Sequence, residues 1–314
     1  MSRRRINTTA FLLVLTFAIH ATLVGGCASK KTRDEDLDTG NAVENSYDVA
    51  APPTVGPQPD EDYTPPEESY VLVLGPGLAR SFAYVGVLKE LENKNVRIST
   101  IVTMDLGALL STIWATSSIN NLEWQAHKLS RGTLLDFSLL KGKSSAAPGN
   151  KITKFIENSI SVKDLAVSKI PIIVVSSTEN GPIFERQGNP IEILRGALGL
   201  PNIIETIKVG GLTRSNAAFE IPFPSDYARD LGYGKTLCID VVGRGNNFTP
   251  KENYEHQIAA QMRTVAALSK EQLKACDEVV RIPTDGIGYF DFEQKAELIF
   301  RGKAGVQKWL ATKK

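Results

Sequence analysis

The chain has 314 residues, 42% of them hydrophobic, with 36 Lys and Arg set against 35 Asp and Glu for a formal charge of +1. That is enough apolar material for one large domain or two smaller ones, and the balanced charge gives no basic footprint, so no nucleic-acid partner is expected. Three cysteines and three histidines make neither a disulfide framework nor a cluster with metal-ligand spacing, and no metal or cofactor is expected.

Taken in chain order, Arg3, Arg4 and Arg5 precede an apolar run from about residue 10 to residue 24. The run is short and interrupted by His20, so it reads as a secretory signal rather than a membrane span. It ends in Leu23, Val24, Gly25, Gly26 and Cys27, which resembles the bacterial lipobox, small residues ahead of a cysteine that becomes acylated. The resemblance implies a signal peptide over 1–26 and membrane attachment through lipidated Cys27. Because Ala28 rather than Asp follows, it also implies release to the outer membrane: a bacterial cell-envelope protein, lipid-anchored on the periplasmic face. Residues 27–68 lack apolar periodicity, carry Pro52, Pro53, Pro57, Pro59, Pro65 and Pro66, and hold eleven acids against three bases. This composition reads as a disordered acidic linker. The remaining domain, 69–314, is mildly basic.

Residues 70–74 are a short apolar run of the kind a strand buried on both faces requires. Gly75, Pro76 and Gly77 break it. Phe82, Val85, Leu88 and Leu91 then recur three apart, and Ala83, Val87 and Leu91 four apart, which predicts an amphipathic helix. A second apolar run over 98–102 ends abruptly at Thr103, Met104, Asp105, Leu106 and Gly107 before another helical pattern containing Ala108, Leu109, Ile113 and Trp114. The order is strand, glycine loop, helix, strand, tight turn, helix, which belongs to a parallel α/β core.

These residues resemble the patatin-like phospholipase family, whose glycine loop reads GGGxxRG and whose elbow reads GxSxG. The resemblance implies a three-layer α/β/α fold with a mainly parallel central sheet. It also implies an elbow serine that attacks an ester, an aspartate that activates it, and loop amides that hold the oxyanion. At the nucleophile position stands Asp105. Gly75, Pro76, Gly77 and Leu78 occupy the oxyanion loop, and Pro76 has no N–H to donate. Val209, Gly210 and Gly211 match the family's Asp-Gly-Gly, so Val209 takes the place of the partner aspartate. Arg80 keeps the family's arginine and is a candidate anion-binding residue.

The resemblance continues to about residue 312. Residues 118–168 correspond to a substrate-covering cap, with 142–149 a candidate mobile loop. Strands are expected over 170–176 and 236–242 and after 277. A turn at Glu179, Asn180 and Gly181 and a helix from Pro190 to near Gly199 lie between them. Cys238 reads as a small hydrophobe in a buried strand and Cys276 as a helix-end residue; an oxidising compartment would permit a bridge, but the two are read as unpaired.

Three readings of function compete. In the first, the fold is a non-catalytic pseudo-hydrolase acting as a lipid- or partner-binding module. The Asp105 carboxylate would then accept hydrogen bonds from Gly77 or Leu78 and fill the oxyanion hole with the protein's own charge. In the second, an acyl hydrolase survives with Asp105, Ser81 or Ser111 as a non-standard nucleophile, although His127 and His256 occupy no recognisable base position. In the third, Gly75, Pro76 and Gly77 begin a phosphate-binding loop, but the third glycine of that fingerprint is absent.

Overall fold

Five consecutive apolar side chains leave β1 (Tyr70–Leu74) with no face for water, and it becomes the middle strand of the parallel part of the sheet. The computed structural model describes residues 68–137, 146–243 and 248–313. The expected signal peptide, Cys27, the linker as far as residue 67 and residues 142–145 of the expected mobile loop lie outside them. β1 is flanked in parallel by β2 (Ile98–Thr103) and β7 (Lys235–Asp240). Outward from these, β3 (Ile172–Thr178) runs parallel to β2, and β8 (Glu278–Arg281) parallel to β7.

The remaining strands are antiparallel. β4 (Gly181–Glu185) pairs with β3 through the expected turn, and β5 (Ile207–Val209) and β6 (Leu212–Asn216) form a hairpin joined to β3 through β6. The order β5-β6-β3-β2-β1-β7-β8, with β4 on β3, makes an eight-stranded, mainly parallel sheet.

The helices cover both faces. α1 (Ala83–Asn93) and α2 (Asp105–Thr116) connect strands that step one way from β1, whereas α8 (Asn253–Gln272) connects β7 to β8, a step the other way. Right-handed crossovers therefore place α8 on the face opposite α1 and α2. α1 packs between α2 and the C-terminal α9 (Lys295–Ala311), and α7 (Ser225–Asp230) lies on β1 and β7. α3 (Ile119–Lys128), α4 (Arg131–Leu134) and α5 (Asn150–Ser159) form the excursion between α2 and β3, and α6 (Pro190–Leu198) starts with its proline at N1 under the Asn189 cap. Each large apolar side chain fully buried between these layers contributes about 1.5–3 kcal/mol.

The cysteines depart from the expectation. Cys238, on β7, is bridged to Cys276, just ahead of β8, with Cα atoms 6.1 Å apart. β7 and β8 are hydrogen-bonded neighbours, and pairing Leu237 with Glu278 draws the residues before β8 alongside β7. Two cysteines 38 residues apart carry no such adjacency in sequence.

Candidate functional site

β1 and β2 end in register, Leu74 opposite Thr103, so the glycine loop and the turn after β2 leave the same edge of the sheet side by side. Met104 is extended, and Asp105 then turns into the left-handed region (φ 56°) as the first residue of α2. Leu78, in the facing loop, is also left-handed (φ 47°). A non-glycine residue held there costs about 1–2 kcal/mol, so something must hold both. Asp105 Oδ2 accepts from the Gly77 amide at 2.9 Å and the Leu78 amide at 2.6 Å. Its Oδ1 accepts from Asn216 Nδ2 at 2.9 Å.

Sheet register delivers Asn216. On β3, Val174 pairs with Thr103 of β2, and two residues on Ser176 pairs with Asn216 of β6. β4 occupies the other side of β3 at both positions, so β6 continues the line of β2 beyond its end. Asn216 is thereby placed level with residue 105. Its own Oδ1 accepts from the Ala218 amide at 2.9 Å, which fixes the side-chain amide with Nδ2 toward Asp105.

Asp105 is 1% exposed. Burial pushes its carboxyl above the ordinary carboxylate range, and the amides of Gly77, Leu78 and Leu106 together with Asn216 act against that rise. All four partners are donors, and α2 directs its N-terminus at the same group, which limits the rise without reversing it. Beneath the loop, the buried Tyr84 hydroxyl donates to Gly75 O at 2.6 Å; burial first, then Asp240 and Asp105, push that phenol well up. Gly75 itself abuts the Phe223 ring, where a Cβ would stand 2.2 Å from Cζ, so no larger residue fits without moving the ring.

No family model matches the chain. It is 25% identical over 198 residues to uncharacterized NTE family proteins of Mycobacterium bovis and Mycobacterium tuberculosis, a match covering 60% of this chain and 53% of each relative. It is 24% identical over 199 residues to a putative patatin-like phospholipase domain-containing protein of Caenorhabditis elegans, covering 60% of this chain and 18% of that protein. The chain is a relative of the patatin-like phospholipases. It spans about half the length of the mycobacterial relatives it matches. Among solved structures, VipD of Legionella pneumophila overlays with a TM-score of 0.46 at 11% identity, covering 78% of this chain and 67% of that one. The type III effector ExoU of Pseudomonas aeruginosa gives 0.40 at 15%, covering 79% and 54%.

Placed on this patatin-like frame, Gly75, Pro76, Gly77, Leu78 and Asp105 come together as the sequence suggests. Pro76 donates nothing, and the donors are the next two amides. Val209 does not join them. It ends β5 opposite Leu212, four residues from Asn216 along β6 and thus about 13 Å away. The residue beside the elbow acid is Asn216, and no short motif around it in the sequence signals that role.

Arg80 is not an accessible anion contact. It is 0% exposed, donates from Nε to Ile287 O at 2.9 Å and from Nη1 to Val242 O and the Tyr289 hydroxyl, and stacks 4.0 Å from the Tyr289 ring. Burial holds its pKa below the usual arginine value.

Ser111 is buried one turn into α2 and donates to Gly107 O at 2.7 Å; Ser81 is buried beside Gly77. His127 and His256 are exposed on α3 and α8. Among the described residues, no group of three His, Cys, Asp or Glu could hold a metal ion, and no helix is long and apolar enough to cross a membrane. An ester carbonyl seeking the two loop amides would have to displace Asp105 Oδ2 from both.

Proposed function

We propose that this chain is a patatin-like domain kept for binding rather than for ester hydrolysis, a lipid- or partner-binding module held at the bacterial cell envelope by an acylated Cys27. One observation carries the reading: the acid at the nucleophile position already fills the two loop amides that would stabilise an oxyanion. A proton acceptor for a nucleophile is also wanting, because the side chain bonded to Asp105 is the Asn216 amide. Removal of a single oxyanion donor costs about 3 kcal/mol of transition-state stabilisation in serine hydrolases, and here both are committed to the protein's own charge. The Cys238 to Cys276 bridge supports an oxidising compartment such as the periplasm.

The test separates the anchor from the domain. The whole chain carrying Cys27→Ser is sedimented with phospholipid vesicles. Association that persists without the acyl group supports lipid binding by the domain, and its complete loss turns the module toward a protein partner. Fatty-acid release by the same preparation would overturn the non-catalytic reading and favour an acyl hydrolase with Asp105 or a nearby serine as nucleophile.

A further inference from the structure

A cleft of about 500 Å³ opens between α8 and the C-terminal ends of β7 and β8. This is the edge of a parallel sheet at which α/β proteins bind ligands. It is distinct from the elbow: β2 and β8 are three strand spacings apart, about 14 Å. One wall is a single face of α8, where Arg263, Ala266, Ala267 and Lys270 recur at helical spacing, so two alanines leave a trough between two cations. The other wall carries Arg281, the last residue of β8, and Asp240, the last of β7. Arg281 Nε lies 3.9 Å from Asp240 Oδ2. Among the described residues, Arg263 and Lys270 are within ion-pair distance of no carboxylate.

A fourth cation stands behind the floor. Tyr289, Val242 and Gly243 line the cleft, and the buried Arg80 guanidinium is stacked on the first, bonded to the second and packed against the third. Its Nη2 has no hydrogen-bond partner, and Asp285 and Asp291, the acids that act on it, are not in ion-pair contact. Four positive charges thus converge on a concave, partly low-dielectric site whose lining, among the described residues, holds one carboxylate, Asp240, an arrangement that concentrates field lines on an anion.

We propose that this cleft binds a phosphate group, as free phosphate or diphosphate or as a phosphomonoester lipid headgroup. A tetrahedral, multiply charged anion has enough oxygens to accept from the Arg263 and Arg281 forks and from Lys270 together. Arg80 adds positive potential from below without contact.

The experiment uses the whole chain carrying Cys27→Ser at low ionic strength. Inorganic phosphate and diphosphate are titrated calorimetrically, and vesicles of phosphatidic acid in phosphatidylcholine are tested by sedimentation. Arg263→Gln, Lys270→Gln and Arg281→Gln should each weaken binding about tenfold, and their combination should abolish it. A control removing equal charge from α5 and α9 (Lys154→Gln, Lys303→Gln, Lys308→Gln) should leave it intact. Asp240→Asn should tighten binding, a gain that misfolding cannot produce. Saturation by free phosphate identifies a soluble ligand, and binding to phosphatidic acid vesicles alone identifies the headgroup. Equal losses in the cleft and control triples, or no binding to any of the three probes, would overturn the assignment.

Discussion

Replacing Asp105 by Ala would strip the acceptor from the Gly77, Leu78 and Leu106 amides and from Asn216 Nδ2 at once, in a site that is 1% exposed. A buried donor left unpaired costs about 1–3 kcal/mol. Two effects reduce the sum. Water entering the vacated space satisfies some donors, and the buried carboxylate's desolvation, the main cause of its raised pKa, is relieved. The net expectation is a loss of about 2–4 kcal/mol, within the range for breaking a buried polar network. At about 2–4 °C per kcal/mol for a domain of this size, Tm should fall by about 4–16 °C.

Asp105→Gly loses the same acceptor but relaxes the left-handed backbone, and should stand about 1 kcal/mol above the alanine variant. Linkage gives a further check. With the folded pKa raised, the protonation-linked stability is fully present below the unfolded carboxyl pKa and is lost as pH rises through the folded one. The Tm gap between the parent and Asp105→Ala should therefore be widest near pH 4 or below and narrow above it. Thermal unfolding followed by circular dichroism reads both quantities. An alanine variant as stable as the parent, or a gap that widens with pH, would refute the reasoning.

Other expectations follow from the same packing. α1 and α9 touch backbone to backbone: a Cβ on Gly86 would stand 1.9 Å from Ile299 O and one on Gly302 1.9 Å from Ala83 O. Gly86→Ala should therefore destabilise by about 1–3 kcal/mol in urea unfolding, although the same change in an open helix interior stabilises by about 1 kcal/mol. Reducing the Cys238 to Cys276 bridge, which closes 38 residues, should cost about 3–4 kcal/mol, read as a drop in the urea midpoint on adding reductant. Arg80→Met should be tolerated poorly, by about 3 kcal/mol or more, because the carbonyls of Val242 and Ile287 lose their donor.

Local pattern made the first half of the site legible. The apolar runs of β1 and β2, the glycine break and the three-and-four spacing of α1 set out loop and elbow in order, and the resemblance to the patatin-like phospholipases points Asp105 at the amide of Gly77 or Leu78. What escaped depends on contacts between distant segments. Asn216 reaches the elbow because β6 continues the line of β2 along β3, a register no short motif encodes. Val209 carried the matching glycines, yet the hairpin turns it away from the site. A charged Arg80 reads as solvent-facing until Tyr289, more than 200 residues later, closes over it. The cysteine pair and the Gly86 and Gly302 contact likewise arise only once β7 meets β8 and α1 meets α9.

The central claim is that an acid seated in its own oxyanion loop leaves the domain a binder. Fatty-acid release from mixed phospholipid vesicles, measured with the purified chain and Asp105→Ala side by side, tests it most directly. The account predicts no release above the protein-free blank by either preparation. Release by the parent that vanishes in Asp105→Ala would contradict it and make Asp105 a nucleophile.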